Sequence, residues 1–427
     1  LAAGAQFTLG AAAVAGYNGT PLVDNSVAGQ KITGFLSVTD YTDRLASASN
    51  ASPFPLGQAV LASGLASNSG VTYGDVGTFR MLPEAVLDNA YTSVDQPGDC
   101  VIGSSNNTAV NGKFGCNIAN QAQSPVPVFG RFFPDHYALT GALTAACGDF
   151  TYLGQRELGV VLGATALSKG KQILARYGSA YPGRASVSVG AGNAGAALSI
   201  GRLTPALPAF AWNQGRSGRS YTTDGGAYAA GSTQVVVAGS GGLSTGELIK
   251  FAGDAAIYTV QAGTAGAGSI TLAAPGLQQA IPSGVTGITV LHSFDRLASG
   301  QDGPYDDFSL VVGISDSDGA LISSVNGLAV APAASVAIGD TRLRHGRLRI
   351  NNMYGSEQRA LLVPLVAQYW NGSAYAANTL DNCTALLRKN FVLKDYLNLT
   401  DVQLPAASSL PLDSGLLQQG GGSVLMA

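Results

Sequence analysis

Short runs in which apolar and polar residues alternate recur along the chain, separated by stretches rich in glycine, proline and asparagine. Gln6-Phe7-Thr8-Leu9, Lys31–Val38, Val71-Thr72-Tyr73 and Gly77–Met81 are the first of them. A period of two sends successive side chains to opposite faces, which is the pattern of a half-buried strand. The acidic residues agree, because only four of the 26 are Glu. Glu suits helix interiors, whereas Asp suits turns and caps. Gly 57 and Pro 18 supply many turns, and the 46% hydrophobic content is enough to build a core. The expected fold class is therefore all-β.

At 427 residues the chain has room for about two to three domains. Short strands at regular spacing predict an Ig-like β-sandwich over 1–129. The stretch Ser124-Pro125-Val126-Pro127-Val128 reads as a linker, since proline blocks both helix and central strand. A second β-rich domain is expected over 130–212 and 293–427. Its strands include Phe150–Leu153, Ala185–Val189, Phe308–Ile314, Arg347–Ile350 and Leu361–Trp370. Pro364 demotes part of the last run to an edge or a bulge. Between them, 213–292 holds five short strands with Gly-rich turns and reads as a small inserted β module. The best helix candidate is Leu380 to Leu397.

Composition excludes several functions. Charged residues are 11%, against about 25% in ordinary soluble domains. A net charge of −3 argues against nucleic-acid binding driven by counterion release. No run of 18 apolar residues exists, so no transmembrane helix is expected. Leu1–Gly16 is apolar but lacks a basic leader, and it reads as the start of a mature or trimmed chain. A chain so poor in charge and rich in Gly, Ala, Ser and Thr has the composition of an exported, extracellular surface protein.

Cys100, Cys116, Cys147 and Cys383 contain no C-x-x-C pair, which excludes zinc-ribbon, ferredoxin and thioredoxin readings. An even count in an exported chain favours disulfides, with three possible connectivities. Cys100 and Cys116 bracket a polar Gly/Asn-rich stretch that suits a stapled hairpin loop. That leaves Cys147 with Cys383 as a long-range link.

Three blocks of sequence resemble a known family. The first is Gly130-Arg131-Phe132-Phe133-Pro134-Asp135-His136-Tyr137 with Ala146-Cys147-Gly148-Asp149-Phe150-Thr151-Tyr152. The second is Asp302-Gly303-Pro304-Tyr305-Asp306-Asp307 with Asp316-Ser317-Asp318-Gly319. The third runs from Thr341 to Ile350, through Tyr354-Gly355-Ser356-Glu357 and Tyr369-Trp370-Asn371-Gly372-Ser373, to Asp381-Asn382-Cys383-Thr384. Together they resemble the C-terminal region of MshQ-type proteins, encoded with the mannose-sensitive haemagglutinin (MSHA) type IV pilus. The resemblance covers about 130–212 and 293–384, and 213–292 falls outside it. It implies a bacterial surface protein linked to pili and supplies no catalytic residues.

The remaining motifs are weak as chemistry. Gly190-Ala191-Gly192-Asn193-Ala194-Gly195 matches G-x-G-x-x-G, but no acid follows about 20 residues on, so a Gly-rich turn is the better reading. His136, His292 and His345 have no G-x-S-x-G partner, and paired carboxylates would have to come mostly from Asp. No catalysis is expected. Asp135 and His136 are adjacent, which on a strand would point them to opposite faces. Asp302, Asp306, Asp307, Asp316 and Asp318 cluster around one strand. They are the candidate Ca²⁺ ligands, against the plainer reading of two Asp/Gly turns. Arg342, Arg344, Arg347 and Arg349 are a candidate anion or glycan patch, against an exposed strand whose charges pair with the Asp turns. Trp370, at a turn, is a candidate sugar-stacking ring, with core packing as the commoner fate of a tryptophan.

The expected function is a non-catalytic structural subunit of a pilus-like appendage. The alternative is a monomeric pilus-associated adhesin for a glycan or host protein. Partners are other subunits, or copies of itself, joined by β-strand addition. Gln6–Val14 and the tail after Leu397 are the expected donor strands.

Overall fold

A computed structural model of the chain describes residues 1–426 except 25–31, 35–44, 47–52, 193–197, 208–211, 214–219, 239–242, 283–285, 387–391, 395–400 and 404–415. Positions 95, 97, 180, 182, 225, 252–253, 255, 357 and 385 are also outside the description. The described residues are nearly all strand, loop and turn. Their helical elements are two short 3-10 turns, Ala90–Ser93 and Ile200–Arg202. None of their helices is long and apolar enough to cross a membrane. The helix expected from Leu380 is not formed where the residues are described, and Val392–Lys394 is a strand paired with Asp401–Gln403.

Three small sheets surround the first core. Their longest pairings join Gln6–Ala12 to Leu65–Tyr73 and Val128–Phe132 to Gly77–Met81. Phe54, Tyr73, Phe79 and Phe132 fill the centre. Tyr73 lies 4.8 Å from Phe132 and 5.0 Å from Phe79, ring to ring. The strand Val128–Phe132 belongs to this sheet, so the position taken for a domain boundary at 129/130 lies inside a strand.

The second core lies between two sheets. One is built on His136–Thr144 and Leu158–Leu167, which pair antiparallel along their whole length. The other has the order Phe150–Tyr152, Ser335–Arg344, Tyr305–Ser315, Ser186–Gly192. Alternation explains the filling. Phe308, Leu310, Val312 and Ile314 point inward from one sheet, and Leu158, Val160, Leu162, Ala164 and Ala166 from the other. Each large aliphatic or aromatic side chain buried this way contributes roughly 1.5–3 kcal/mol. The Gly-rich motif is no turn in its first half: Gly190, Ala191 and Gly192 are strand residues opposite Val311, Leu310 and Ser309.

The stretch 213–292 has its own core, including Tyr221, Val237, Ile249, Phe251, Val260 and Ile270. Thr286–Phe294 pairs with strands of this stretch and then, through His292 and Leu291, with Leu158 and Gly159. The stretch thus continues the main sheet.

A fourth core closes the chain. Leu361–Trp370 is central, with Gly346–Ile350 on one side and Gly421–Met426 and Tyr375–Ala377 on the other. Pro364 therefore does not make this strand an edge. Its carbonyl accepts from Asn351 N–H at 3.1 Å, one residue beyond the end of Gly346–Ile350. The missing proline N–H falls where that pairing stops.

Candidate functional site

Where the second and fourth cores meet, a buried polar network surrounds a disulfide. Cys147 sits in a tight turn, exchanging backbone hydrogen bonds with Phe150 at 2.9 and 3.1 Å. It is bonded to Cys383, 236 residues away, with the two Cα atoms 5.6 Å apart. Cys100 and Cys116 are bonded as well, at a Cα separation of 5.3 Å. Both pairings are those the sequence led us to expect.

Asp381 is fully buried beside the Cys147–Cys383 bond. Its carboxylate accepts from Tyr152 OH at 2.9 Å, Thr384 OH at 2.7 Å and the backbone N–H groups of Cys383 and Thr384 at 3.1 and 2.9 Å. Asn378 Nδ2 donates to Tyr152 OH at 2.6 Å, and Arg344 Nη1 donates to Asn378 Oδ1 at 2.7 Å. Arg344 also donates to Asp306 at 3.1 Å and lies 4.1 Å over the Tyr369 ring. Burial pushes the Tyr152 hydroxyl well above the usual tyrosine range; Asn378 opposes this and Asp381 adds to it.

One residue on, His345 Nδ1 lies 3.1 Å from Asp302 Oδ1. Arg202 Nη2 donates to Asp302 Oδ2 at 2.7 Å and Tyr305 OH to the same oxygen at 3.1 Å. Burial alone would raise the Asp302 carboxyl, but the hydrogen bonds from Arg202 and His345 outweigh it and hold the carboxyl below its ordinary range. Asp381 and Asp302 are thus hydrogen-bonded on both oxygens, a state suited to holding chains together.

The structure divides the five candidate calcium ligands. Asp302, Asp306 and Asp307 lie at the start of Tyr305–Ser315, and Asp316 and Asp318 just past its end. Ten strand steps put the two groups about 30 Å apart. Asp316 accepts from Tyr137 OH at 2.8 Å, Asp318 is paired with Arg131, and Asp307 is exposed. They do not form one ligand set. Among the described residues, one group of three potential ligands comes together: Cys147, Asp381 and Cys383. Its sulfurs are spent in the disulfide, so no thiolate is present to hold a metal.

The arginines also divide. Arg344 is buried in the network. Arg342 is 3.9 Å from Asp149, and Arg347 donates to Gln368 at 2.9 Å and lies 3.6 Å over Tyr375. Arg349 is exposed. Trp370 is half-buried, edge-on to Tyr375 at 5.5 Å. His136 Nδ1 is 2.8 Å from Asp135, contrary to the alternation argument, because Asp135 precedes the strand that His136 begins. His292 faces the Pro205 carbonyl at 2.7 Å. The sequence reading missed Arg202, Asn378 and Asp381, which meet Asp302, Arg344 and Tyr152 from dozens to hundreds of residues away. It also missed the pairing of His345 with Asp302. Gln6–Ala12 and Gly421–Met426, in the segments expected to donate strands, are paired within their own chain.

Two family models match, one over 102–240 and the other over 344–425, described as the third and fourth domains of DUF6701. The chain carries two DUF6701 domains. Cys147 lies in the third and Cys383 in the fourth, so the long-range disulfide bonds one domain to the other. The third-domain match extends through 213–240, into the stretch that the sequence reads as a small inserted β module. Neither description names an activity, a partner or a pilus. No curated protein and no solved structure matches the chain.

Proposed function

We propose that this chain is a non-catalytic, exported structural subunit of a pilus-like or filamentous surface appendage, linked to the MSHA pilus as its resemblance to MshQ-type proteins implies. The observation that carries the reading is the Cys147–Cys383 bond between the two DUF6701 domains, with its neighbouring carboxylate fully hydrogen-bonded. Such a bond persists in an oxidising compartment and resists separation of domains under tension. Low surface charge favours close packing of subunits. The three histidines support a structural role as well: His136 and His345 rest against carboxylates and His292 against a backbone carbonyl.

Sedimentation of the secreted protein at rising concentration tests this reading. A subunit gives species that grow in steps of one chain. A boundary that stays at one chain mass at every concentration contradicts it. In that case a monomeric adhesin is the better reading, and the Trp370 edge beside the exposed turn Asn371–Ser373 would be the first place to look for a glycan.

A further inference from the structure

The strand Gly346–Ile350 is an edge. It continues Ser335–Arg344 past a single residue, His345, and the two sides of this long strand are treated differently. On one side Trp370 N–H donates to the His345 carbonyl at 2.9 Å, and Asn351 N–H donates to the Pro364 carbonyl at 3.1 Å. Backbone groups of the odd-numbered residues therefore face Leu361–Trp370. On the other side Leu153 N–H donates to the Arg344 carbonyl at 2.9 Å, and there the neighbouring strand Phe150–Tyr152 ends. The N–H and C=O groups of Gly346, Leu348 and Ile350 face this side, and among the described residues no backbone partner meets them.

A cleft of about 640 Å³ runs beside this edge. One wall is Gly346–Leu348, and the other includes Tyr152, Gln155 and Glu157. Leu348 and Ile350 stand opposite Ala367 and Leu365, so they carry the apolar face of the fourth core outward. They remain 41% and 58% exposed. Arg347 and Arg349 project from the other face and are exposed. Within the cleft Arg296 and Glu157 are of opposite sign, and Asp381 is fully hydrogen-bonded, so the uncompensated charge belongs to the edge strand.

Charge selects the occupant. Two copies of this edge pairing antiparallel about Leu348 would set Arg347 opposite Arg349 twice, and like charges directly opposite are destabilising. An incoming strand that alternates acidic and apolar residues would instead place carboxylates opposite both arginines and apolar side chains beside Leu348 and Ile350. Within these 427 residues the one pair of acids two apart is Asp316 and Asp318, with Ser317 between them, and Asp318 is bound to Arg131. We infer that the Gly346–Ile350 edge accepts, by β-strand addition, an extended segment from outside these 427 residues with alternating acidic and apolar residues. This site stands whether or not the chain forms filaments.

The test uses the full chain and two fluorescent octapeptides, alternating valine–glutamate and valine–lysine, read by anisotropy at low salt. The expected result is glutamate-peptide binding at least tenfold tighter than lysine-peptide binding. Leu348→Pro removes an outward N–H without touching the pairing to Leu361–Trp370, and it should weaken binding at least tenfold with the thermal melt close to the parent. Arg349→Glu should narrow or reverse the preference, which keeps the test decisive should the proline variant fold poorly. No glutamate-peptide binding, an equal response to both peptides, or Arg349→Glu without effect would overturn the inference.

Discussion

Cys147 and Cys383 are bonded although 236 residues separate them, and the bond joins the third DUF6701 domain to the fourth. Asp381, fully buried at its side, spends its carboxylate on Tyr152, Thr384 and two backbone N–H groups. Covalent and polar links therefore converge at the same domain junction.

The two disulfides close loops of very different size. Chain-entropy reasoning gives about 5 kcal/mol for the long loop and about 3 kcal/mol for the 16-residue loop. Cys383→Ser together with Cys147→Ser should lower the melting temperature more than Cys100→Ser with Cys116→Ser. Calorimetry of the two double variants checks this. Equal shifts would mean that loop length does not set what each bond contributes.

Asp302 neutralises Arg202 and accepts from His345 inside the protein. Asp302→Ala removes a buried carboxylate from the half-buried Arg202 guanidinium and from His345, which costs about 2–3 kcal/mol. Denaturant titration should show that loss. Asp307→Ala, at an exposed position, should stay within about 0.5 kcal/mol of the parent.

Acid should weaken the fold through Asp302 and Asp318, both held below the ordinary carboxylate range. For Asp318 the leading cause is the hydrogen bond from Arg131. A depressed folded-state value means that the stabilisation is present above the unfolded value, about 3.9, and disappears as pH falls through the folded one. Stability measured in denaturant should hold from pH 7 to about 5 and then drop below about 4. Asp318→Asn should flatten that drop. An unchanged profile in the variant would contradict the pairing.

Asn213 has φ of 58° and ties three backbone groups together. Its Oδ1 accepts from Ala166 N–H at 2.9 Å, and its Nδ2 donates to the Leu174 and Tyr177 carbonyls at 2.7 and 3.1 Å. Asn213→Ala loses these bonds and adds left-handed strain, and should cost about 2–4 kcal/mol in a thermal or chemical melt. Asn213→Gly should recover the strain component alone.

The fold class and both disulfides were legible in the sequence because each rests on local pattern or small-number arithmetic. Phe308, Leu310, Val312 and Ile314 alternate, and they fill the core. The site was less legible. Asp302 and Asp318 look like neighbours in a list of residues, but an extended strand of eleven residues holds them apart. Their partners, Arg202 and Arg131, lie 100 and 187 residues away in sequence, where no local period reaches. Pro364 misled for a related reason. Proline forbids one hydrogen bond, and here that bond falls just where the neighbouring strand stops.

Electron microscopy of the natively secreted protein, first unreduced and then reduced, is the most direct test of the structural role. The account predicts filaments with a regular repeat in the unreduced sample, and their loss or loosening once Cys147–Cys383 is reduced. Dispersed single particles in the unreduced sample would contradict it.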